Sequence, residues 1–103
     1  MTKAVKYDQD KPDLSLVPKS LRESAARAFM YGEQKYSRDN WRKGMKWHRL
    51  YSALNRHLDA WWDGEVLDPE SGLSHLDHAA ASLAMLIEHS TKSLGEDPRN
   101  GKK

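Results

Sequence analysis

The sequence predicts an all-α fold, a small helical bundle of three main helices. Three segments of the 103-residue chain carry apolar side chains at helical spacing. The connections between these segments are short, which favours neighbouring helices in one bundle, and no useful length of chain alternates apolar with polar residues as a strand would. We therefore expect one domain, with an extended N-terminal arm at residues 1–19, a helical domain at 20–94 and a disordered tail at 95–103.

The composition restricts the class of protein. Hydrophobic residues make up 38% of the chain and charged residues 31%, so a single chain would have a thin core, and we expect a homo-oligomer. A formal charge of +2 is too small to indicate a nucleic-acid partner. The absence of cysteine excludes disulfides and thiolate metal sites, and no apolar run is long enough to cross a membrane. A cytoplasmic location is expected, which for a viral protein means the host cytoplasm.

The N-terminal arm lacks helical periodicity. Pro12 and Pro18 interrupt it, and each proline biases the residue before it away from the α-helical region. Two interpretations stay open: a flexible leader, or an extended segment docked on the bundle. The apolar side chains that would dock it are Leu14, Leu16 and Val17.

The first helix is predicted to begin at Ser20, because Ser20 and Glu23 fit a capping box in which each side chain satisfies an unpaired backbone N–H. Small and apolar residues then follow at helical spacing and form the stripe expected to face the core: Leu21, Ala25, Ala28, Phe29, Gly32 and Tyr36. Gly32 would admit a close helix or a ligand, and Glu33 borders the same face.

The connection at residues 35–44 is rich in basic and aromatic side chains. Basic groups donate hydrogen bonds to phosphate, and aromatic faces stack on nucleobases. The candidate nucleotide-binding residues here are Lys35, Tyr36, Asn40, Trp41 and Arg42. The alternative interpretation is a solvated connector with Trp41 tucked into the core.

The second and third helices are predicted from about residue 47 to 63 and from about residues 72–74 to 94. The inward stripe of the second helix comprises Leu50, Leu54, Leu58 and Trp61, and the core stripe of the third comprises Leu76, Ala80, Leu83 and Ile87. A polar stripe runs beside the latter: His75, His78, Ser82 and His89. Gly64 suits a left-handed C-terminal cap.

The stretch at residues 56–78 concentrates histidines, carboxylates and two tryptophans. Its predicted helix–loop–helix layout places His57 opposite His75 and His78, with Asp68 and Glu70 on the connection. Two imidazoles at i and i+3 with a loop carboxylate are typical of ligands for Zn²⁺ or Mn²⁺.

Three other interpretations of this stretch stay open. Carboxylates and a substrate phosphate would suit a hard cation, with Glu33, Asp68 and Glu70 as ligands. A metal-free pocket would bind a nucleotide through histidines and arginines, with Trp61 or Trp41 stacked on the base. The third interpretation is a purely structural hydrogen-bond network.

One motif string resembles a known family. It comprises Lys11-Pro12, Gly32-Glu33-Gln34-Lys35-Tyr36, Asn40-Trp41, Arg56-His57, Gly64-Glu65, Asp68-Pro69-Glu70-Ser71-Gly72 and His75-Leu76-x-His78-Ala79. Over about residues 5–90 the chain resembles the phage and prophage N-terminal domain of dATP/dGTP diphosphohydrolases. The resemblance implies an all-α fold, handling of purine deoxynucleotides, and Mg²⁺ or Mn²⁺ ahead of Zn²⁺. More distantly the chain resembles MazG-type pyrophosphohydrolases, although His75-x-x-His78 replaces their second acidic motif.

The resemblance and the residues together give a set of site assignments. Those proposed for catalysis are Glu33 and Glu70, and those for metal binding are Asp68, Glu70, His75 and His78. The nucleotide- and phosphate-binding set is Lys35, Tyr36, Asn40, Trp41, Arg42, Arg56, His57 and Trp61. The leading hypothesis is a metal-dependent enzyme that splits dATP or dGTP into monophosphate and pyrophosphate. The alternatives are a binding protein that sequesters a nucleotide, including a signalling nucleotide of host defence, and a structural interaction protein.

Overall fold

A computed structural model describes residues 9–99 of the chain. The parts of the predicted arm and tail at residues 1–8 and 100–103 lie outside this range. Three helices, α1 to α3, span Lys19–Lys35, Trp47–Trp62 and His75–Lys92, with short 3₁₀ turns at Leu14–Leu16 and Asn40–Lys43. The described range contains two isolated β-bridges and no strand. The prediction of a small all-α bundle is therefore confirmed.

The start of α1 differs from the sequence-based prediction. The helix begins at Lys19, after Pro18, and no side chain caps its first turn. Pro18 has the extended backbone of an N-cap, with φ −63° and ψ 141°, so Ser20 already lies inside the helix. The predicted capping box of Ser20 and Glu23 is therefore wrong.

The three helices form an open layer with α3 in its centre. α3 packs against both α1 and α2, whereas contacts between α1 and α2 are sparse. The start of α2 lies beside the end of α3, since the indole of Trp47 donates to the carbonyl of Leu94, and His57 near the end of α2 meets His75 at the start of α3. α2 and α3 are thus antiparallel. None of the described helices has the length and apolar character needed to cross a membrane.

The face of α3 that is buried is the polar one. His75, Asp77, Ser82 and His89 are buried, together with small residues such as Ala79. The predicted core stripe is wrong, because its large members are 38–56% exposed: Leu76, Leu83 and Ile87. On α2, Leu50 is buried as predicted, whereas Leu58 and Trp61 are exposed. The reason is that α1 and α2 both approach α3 from the side that carries its polar stripe.

The two ends of the described chain differ in their contacts. Leu14, Leu16 and Val17 are exposed beside their 3₁₀ turn, so these side chains are not docked in a core. At the other end, Glu96 exchanges backbone hydrogen bonds with Met45 and Trp47. The segment at residues 95–99, which was expected to be disordered, is therefore held against the start of α2.

Candidate functional site

The candidate site lies where α2 ends and α3 begins. After Gly64 the connection folds back on itself through backbone hydrogen bonds from Asp68 to Leu73 and from His75 to Val66. The carboxylate of Asp68 accepts hydrogen bonds from the amide and hydroxyl of Ser71, a local contact that stabilises the turn. The connection is thereby closed into a loop that carries Asp68 towards the two helices.

Three histidines from α2 and α3 meet beside this loop. Nδ1 of His57 lies 2.8 Å from Nδ1 of His75, and the rings of His57 and His78 are stacked with centroids 4.7 Å apart. The sequence-based prediction that α2 and α3 present facing histidines therefore agrees with the observed geometry.

The hydrogen bonds fix the tautomers of the neutral rings. Nε2 of His75 lies 2.7 Å from a carboxylate oxygen of Glu65. A carboxylate can only accept, so this nitrogen carries the hydrogen of His75 and its Nδ1 accepts the hydrogen of His57. A carboxylate behind an imidazole is the arrangement that orients metal-binding histidines and raises their basicity.

A second chain of hydrogen bonds orients the remaining groups. The Ser71 hydroxyl donates to Asp68 at 2.9 Å and lies 2.6 Å from Nε2 of His78. Because its one hydrogen is used on Asp68, it accepts from His78. Asp68 and His78 are thus held by one small side chain.

The pKa values of His57 and Asp68 are both shifted by their surroundings. Burial, with the charges of His78 and His75, lowers the pKa of the His57 imidazole below its ordinary value. Burial would raise the pKa of Asp68, but hydrogen bonds from Ser71 and the nearby imidazoles outweigh it and lower that pKa. The shifts therefore favour a neutral imidazole at His57 beside an ionised carboxylate at Asp68.

Three of these groups lie close enough together to bind one metal ion. His57, Asp68 and His75 each present a ligand atom within 4.8 Å of the other two. Two imidazoles and one carboxylate suit Mn²⁺ or Zn²⁺. An ion between the two Nδ1 atoms would need about 3.3 Å between them at ordinary metal–nitrogen distances, against 2.8 Å observed. The donor set therefore fits a divalent cation after a small separation of the rings.

Glu70 lies at the margin of the cluster and is ion-paired. Lys35 donates to it at 2.7 Å, and the hydroxyl of Tyr31 approaches the same oxygen at 3.5 Å. The Lys35 hydrogen bond and charge lower the pKa of Glu70, which is therefore ionised at neutral pH. The rings of Tyr31 and His78 meet edge to face, with centroids 6.0 Å apart, so α1 connects Glu70 to the histidines.

Other predicted site residues have contacts elsewhere. Glu33 pairs with Arg38 at 3.2 Å. Trp41 packs against Phe29 and His89, and His89 is about 16 Å along α3 from His78. This agrees with the alternative interpretation of Trp41 as part of the core.

The remaining predicted nucleotide-binding residues also have partners outside the histidine cluster. Arg42 forms ion pairs with Asp39 and Glu88. Arg56 donates to the hydroxyl of Ser52, and the backbone amide of Asn40 donates to Ser37. The ring of Trp61 contacts that of Trp62, and the ring of Tyr36 lies near the ammonium group of Lys35. Of the predicted nucleotide-binding set, His57 lies within the histidine cluster, and Lys35 reaches its margin through Glu70.

The site also contains residues that the sequence reasoning did not select. Glu65 orients His75, Ser71 joins Asp68 to His78, and Tyr31 reaches both His78 and Glu70. Glu65 and Ser71 could have been selected from the sequence, because both belong to the motif string. Tyr31 carried no signal, because its role depends on how α1 packs against α3.

Comparisons with known proteins bear on this site. A family model described as dATP/dGTP diphosphohydrolase, N-terminal, matches residues 1–99. A protein of Salmonella phage PMBT28 named dATP/dGTP diphosphohydrolase is 42% identical over 83 residues, which cover 81% of this chain and 28% of the phage protein. No solved structure matches the chain. The chain belongs to the dATP/dGTP diphosphohydrolase N-terminal family, as its motif string predicted.

Proposed function

We propose that this domain binds a divalent cation in the histidine–carboxylate cluster and uses it to cleave purine deoxynucleoside triphosphates to monophosphate and pyrophosphate. The observation that carries the proposal is the convergence of His57, Asp68 and His75 within 4.8 Å. Its support from relatives is the name of the family and of the phage protein, of which this chain spans 28%.

His57, Asp68 and His75 would hold the cation. A divalent cation neutralises phosphate oxygens and lowers the pKa of bound water, which makes water a nucleophile at neutral pH. The nitrogen-containing donor set favours Mn²⁺ over Mg²⁺, because Mg²⁺ prefers oxygen ligands. Of the expected cofactors, Mn²⁺ is therefore the one we propose.

The other residues of the site have distinct roles in this proposal. Glu65 keeps the Nδ1 lone pair of His75 available, and Ser71 keeps Asp68 in place. When substrate binds, Lys35 leaves Glu70 and donates its hydrogen bond to a phosphate of the substrate. Glu70, released and ionised, accepts a proton from the attacking water. Glu33 receives no role, because it is paired with Arg38.

Metal binding is tested by calorimetry with Mn²⁺ and Zn²⁺ on chelator-treated protein. His57→Gln should abolish measurable binding, and Glu65→Gln should weaken it about 10- to 100-fold. The matched control is His48→Gln, since His48 is an exposed histidine on the same helix. Circular dichroism checks that each variant keeps its helices. The site is refuted if the folded wild-type protein binds neither ion, or if His57→Gln binds as well as His48→Gln.

Catalysis is tested separately by measuring pyrophosphate release from dATP and dGTP, with dCTP and dTTP as comparisons. The proposal expects Mn²⁺-dependent release that His57→Gln loses and His48→Gln keeps. If the cation binds but no monophosphate forms from any of the four nucleotides, the hydrolytic half of the proposal fails.

A second candidate function is nucleotide binding without hydrolysis. It is favoured by the state of the acids around the cluster: Glu70 is paired with Lys35, and the buried Asp77 of α3 is occupied by Arg27 and Ser24. Few carboxylates are thus left to activate water. Recovery of intact nucleotide from a tight complex would support this function, and rapid turnover of the bound nucleotide would exclude it.

A further inference from the structure

His78 is the member of the histidine cluster to which the proposed function gives no role. The ligand atoms that lie within 4.8 Å of one another belong to His57, Asp68 and His75. The side chain of His78 is nevertheless only 16% exposed. Two of its contacts lead to that ligand set: one reaches His57 directly, and the other reaches Asp68 through a hydroxyl group.

The orientation of the His78 ring does not suit a ligand of the same ion. The planes of His57 and His78 differ by 15°, and their centroids are 4.7 Å apart. An ion binds an imidazole nitrogen along its lone pair, in the plane of the ring and at about 2.1 Å. An ion in the plane of His57 therefore lies out of the plane of the ring stacked on it. In addition, Nε2 of His78 already donates to the hydroxyl of Ser71.

The first contact of His78 holds the ring of His57. That ring meets His75 at its edge, with 2.8 Å between the Nδ1 atoms, and lies with one face on His78. Tyr31 of α1 packs against His78, so His78 is itself supported by another helix. A stacked ring resists tilting but can slide in its own plane, because dispersion between two faces changes little with a small lateral offset. His78 can thus guide the small separation of His57 from His75 that an ion requires.

The second contact of His78 orients Asp68. Nε2 of His78 is 3.7 Å from that carboxylate, which is beyond hydrogen-bonding distance. Ser71 lies between them and, because its oxygen accepts from His78, its one hydrogen is directed to Asp68. The amide and the hydroxyl of Ser71 both donate to Oδ2 of Asp68. The other carboxylate oxygen, Oδ1, is therefore left for a cation.

We propose that His78 is a positioning residue that holds two ligands of one cation, His57 by stacking and Asp68 through Ser71. The inference rests on the proposed metal binding and adds a residue to that site. Groups that orient metal ligands typically change the metal affinity by about 10- to 100-fold when they are removed. Loss of His78 should therefore weaken the binding of the cation, whereas loss of the ligand His57 should abolish it.

The test separates the two contacts of His78 by substitution. His78→Phe keeps a ring for the stack and loses the donor, His78→Gln keeps an N–H donor and loses the ring, and His78→Ala loses both. In calorimetric titrations with Mn²⁺, the Kd should rise by about 10- to 100-fold for His78→Ala and by less for the other two. The control, His48→Ala, should bind as the wild-type chain does. The proposal is overturned if His78→Ala also binds like the wild-type chain, or if His78→Phe loses binding as completely as His57→Gln.

A second measurement uses the metal-free protein and a proton of His57. The hydrogen that Nδ1 of His57 donates to His75 exchanges with water only when the contact opens, and proton NMR measures the rate. The proposal expects exchange about tenfold faster in His78→Ala and His78→Gln, and a rate close to that of the wild-type chain in His78→Phe, which keeps the stack. Equal rates in all four proteins would overturn it.

The two measurements distinguish the failure of this inference from that of the proposed function. If the wild-type chain binds no Mn²⁺, the metal site is refuted, and the exchange rates still decide whether His78 holds His57. Circular dichroism checks that each variant keeps its helices. If His78→Ala does not fold, the comparison of His78→Phe with His78→Gln decides, because the proposal expects slower exchange in the former.

Discussion

The two faces of α3 have opposite character, and the polar one is turned inwards. His75 and Asp77 are each 4% exposed and His89 is fully buried, whereas Leu83 is 45% exposed. No buried side-chain polar atom among the described residues lacks a hydrogen-bond partner. The difference shows that, in a single layer of helices, the neighbours of a face determine its burial. Polarity is tolerated inside when every group is paired.

The largest expected effect concerns the fully buried end of the inward face. His89 accepts a hydrogen bond from the amide of Met45 and donates one to the carbonyl of Met85. His89→Ala leaves a cavity and an unpaired buried N–H, so we expect a loss of about 3 kcal/mol in the free energy of unfolding, measured with urea. His48→Ala, at an exposed site, should change it by less than about 0.5 kcal/mol. Equal losses in the two variants would contradict the expected difference between the buried and the exposed histidine.

The next effect concerns the ion pair of the same face. Arg27 bonds both oxygens of Asp77, and Ser24 donates to one of them. Arg27→Leu leaves a buried carboxylate with one partner and should cost about 1–3 kcal/mol of unfolding free energy. Arg22→Leu, on the same helix, is the control and should have little effect. Adding Asp77→Asn to Arg27→Leu should recover part of the loss, and additive losses would show that the pair is not coupled.

This ion pair also predicts a dependence of stability on acid. The hydrogen bond from Arg27 lowers the pKa of Asp77 below 3.8, although burial acts the other way. Because the folded pKa is the lower one, the stabilisation is complete above pH 3.8 and disappears as the pH falls through the folded value. Urea unfolding between pH 5 and about pH 2.5 should therefore be less steeply pH-dependent for Asp77→Asn than for the wild-type chain. If the free energy of unfolding depends on pH equally in both proteins, Asp77 does not contribute to the pH dependence of stability.

The smallest effect is expected on the outward side of α3, where the side chains of Leu76, Leu83 and Ile87 are exposed. Ile87→Ser removes a side chain that is half exposed in one chain, so at high dilution the unfolding free energy should change by less than about 1 kcal/mol. Urea unfolding measures this change, and a loss as large as that of His89→Ala would contradict the difference between the two faces of α3.

Local features were predictable from the sequence. The helices follow from residue spacing, and the facing positions of His57, His75 and His78 follow from two helices joined by a short loop. Asp68 was selected as a carboxylate on the connection between these helices. Each of these inferences needs only neighbours within one helix–loop–helix unit.

Long-range features were not predictable in the same way. Both stripes of α3 fit a core by spacing, and the choice between them depends on where α1 and α2 pack. The partners of Asp77 and Glu70 come from α1, so their pairing with Arg27 and Lys35 depends on that packing. Glu33 is a different case, because its partner Arg38 is only five residues further along the chain.

The contact between the imidazoles of His57 and His75 has a spectroscopic consequence. The two rings hold their hydrogens on different nitrogens, His57 on Nδ1 and His75 on Nε2. A cation lodged between the Nδ1 atoms would force His57 into the tautomer that His75 already has. The nitrogen-15 chemical shifts of the imidazoles would therefore report cation binding directly, in the absence of any nucleotide.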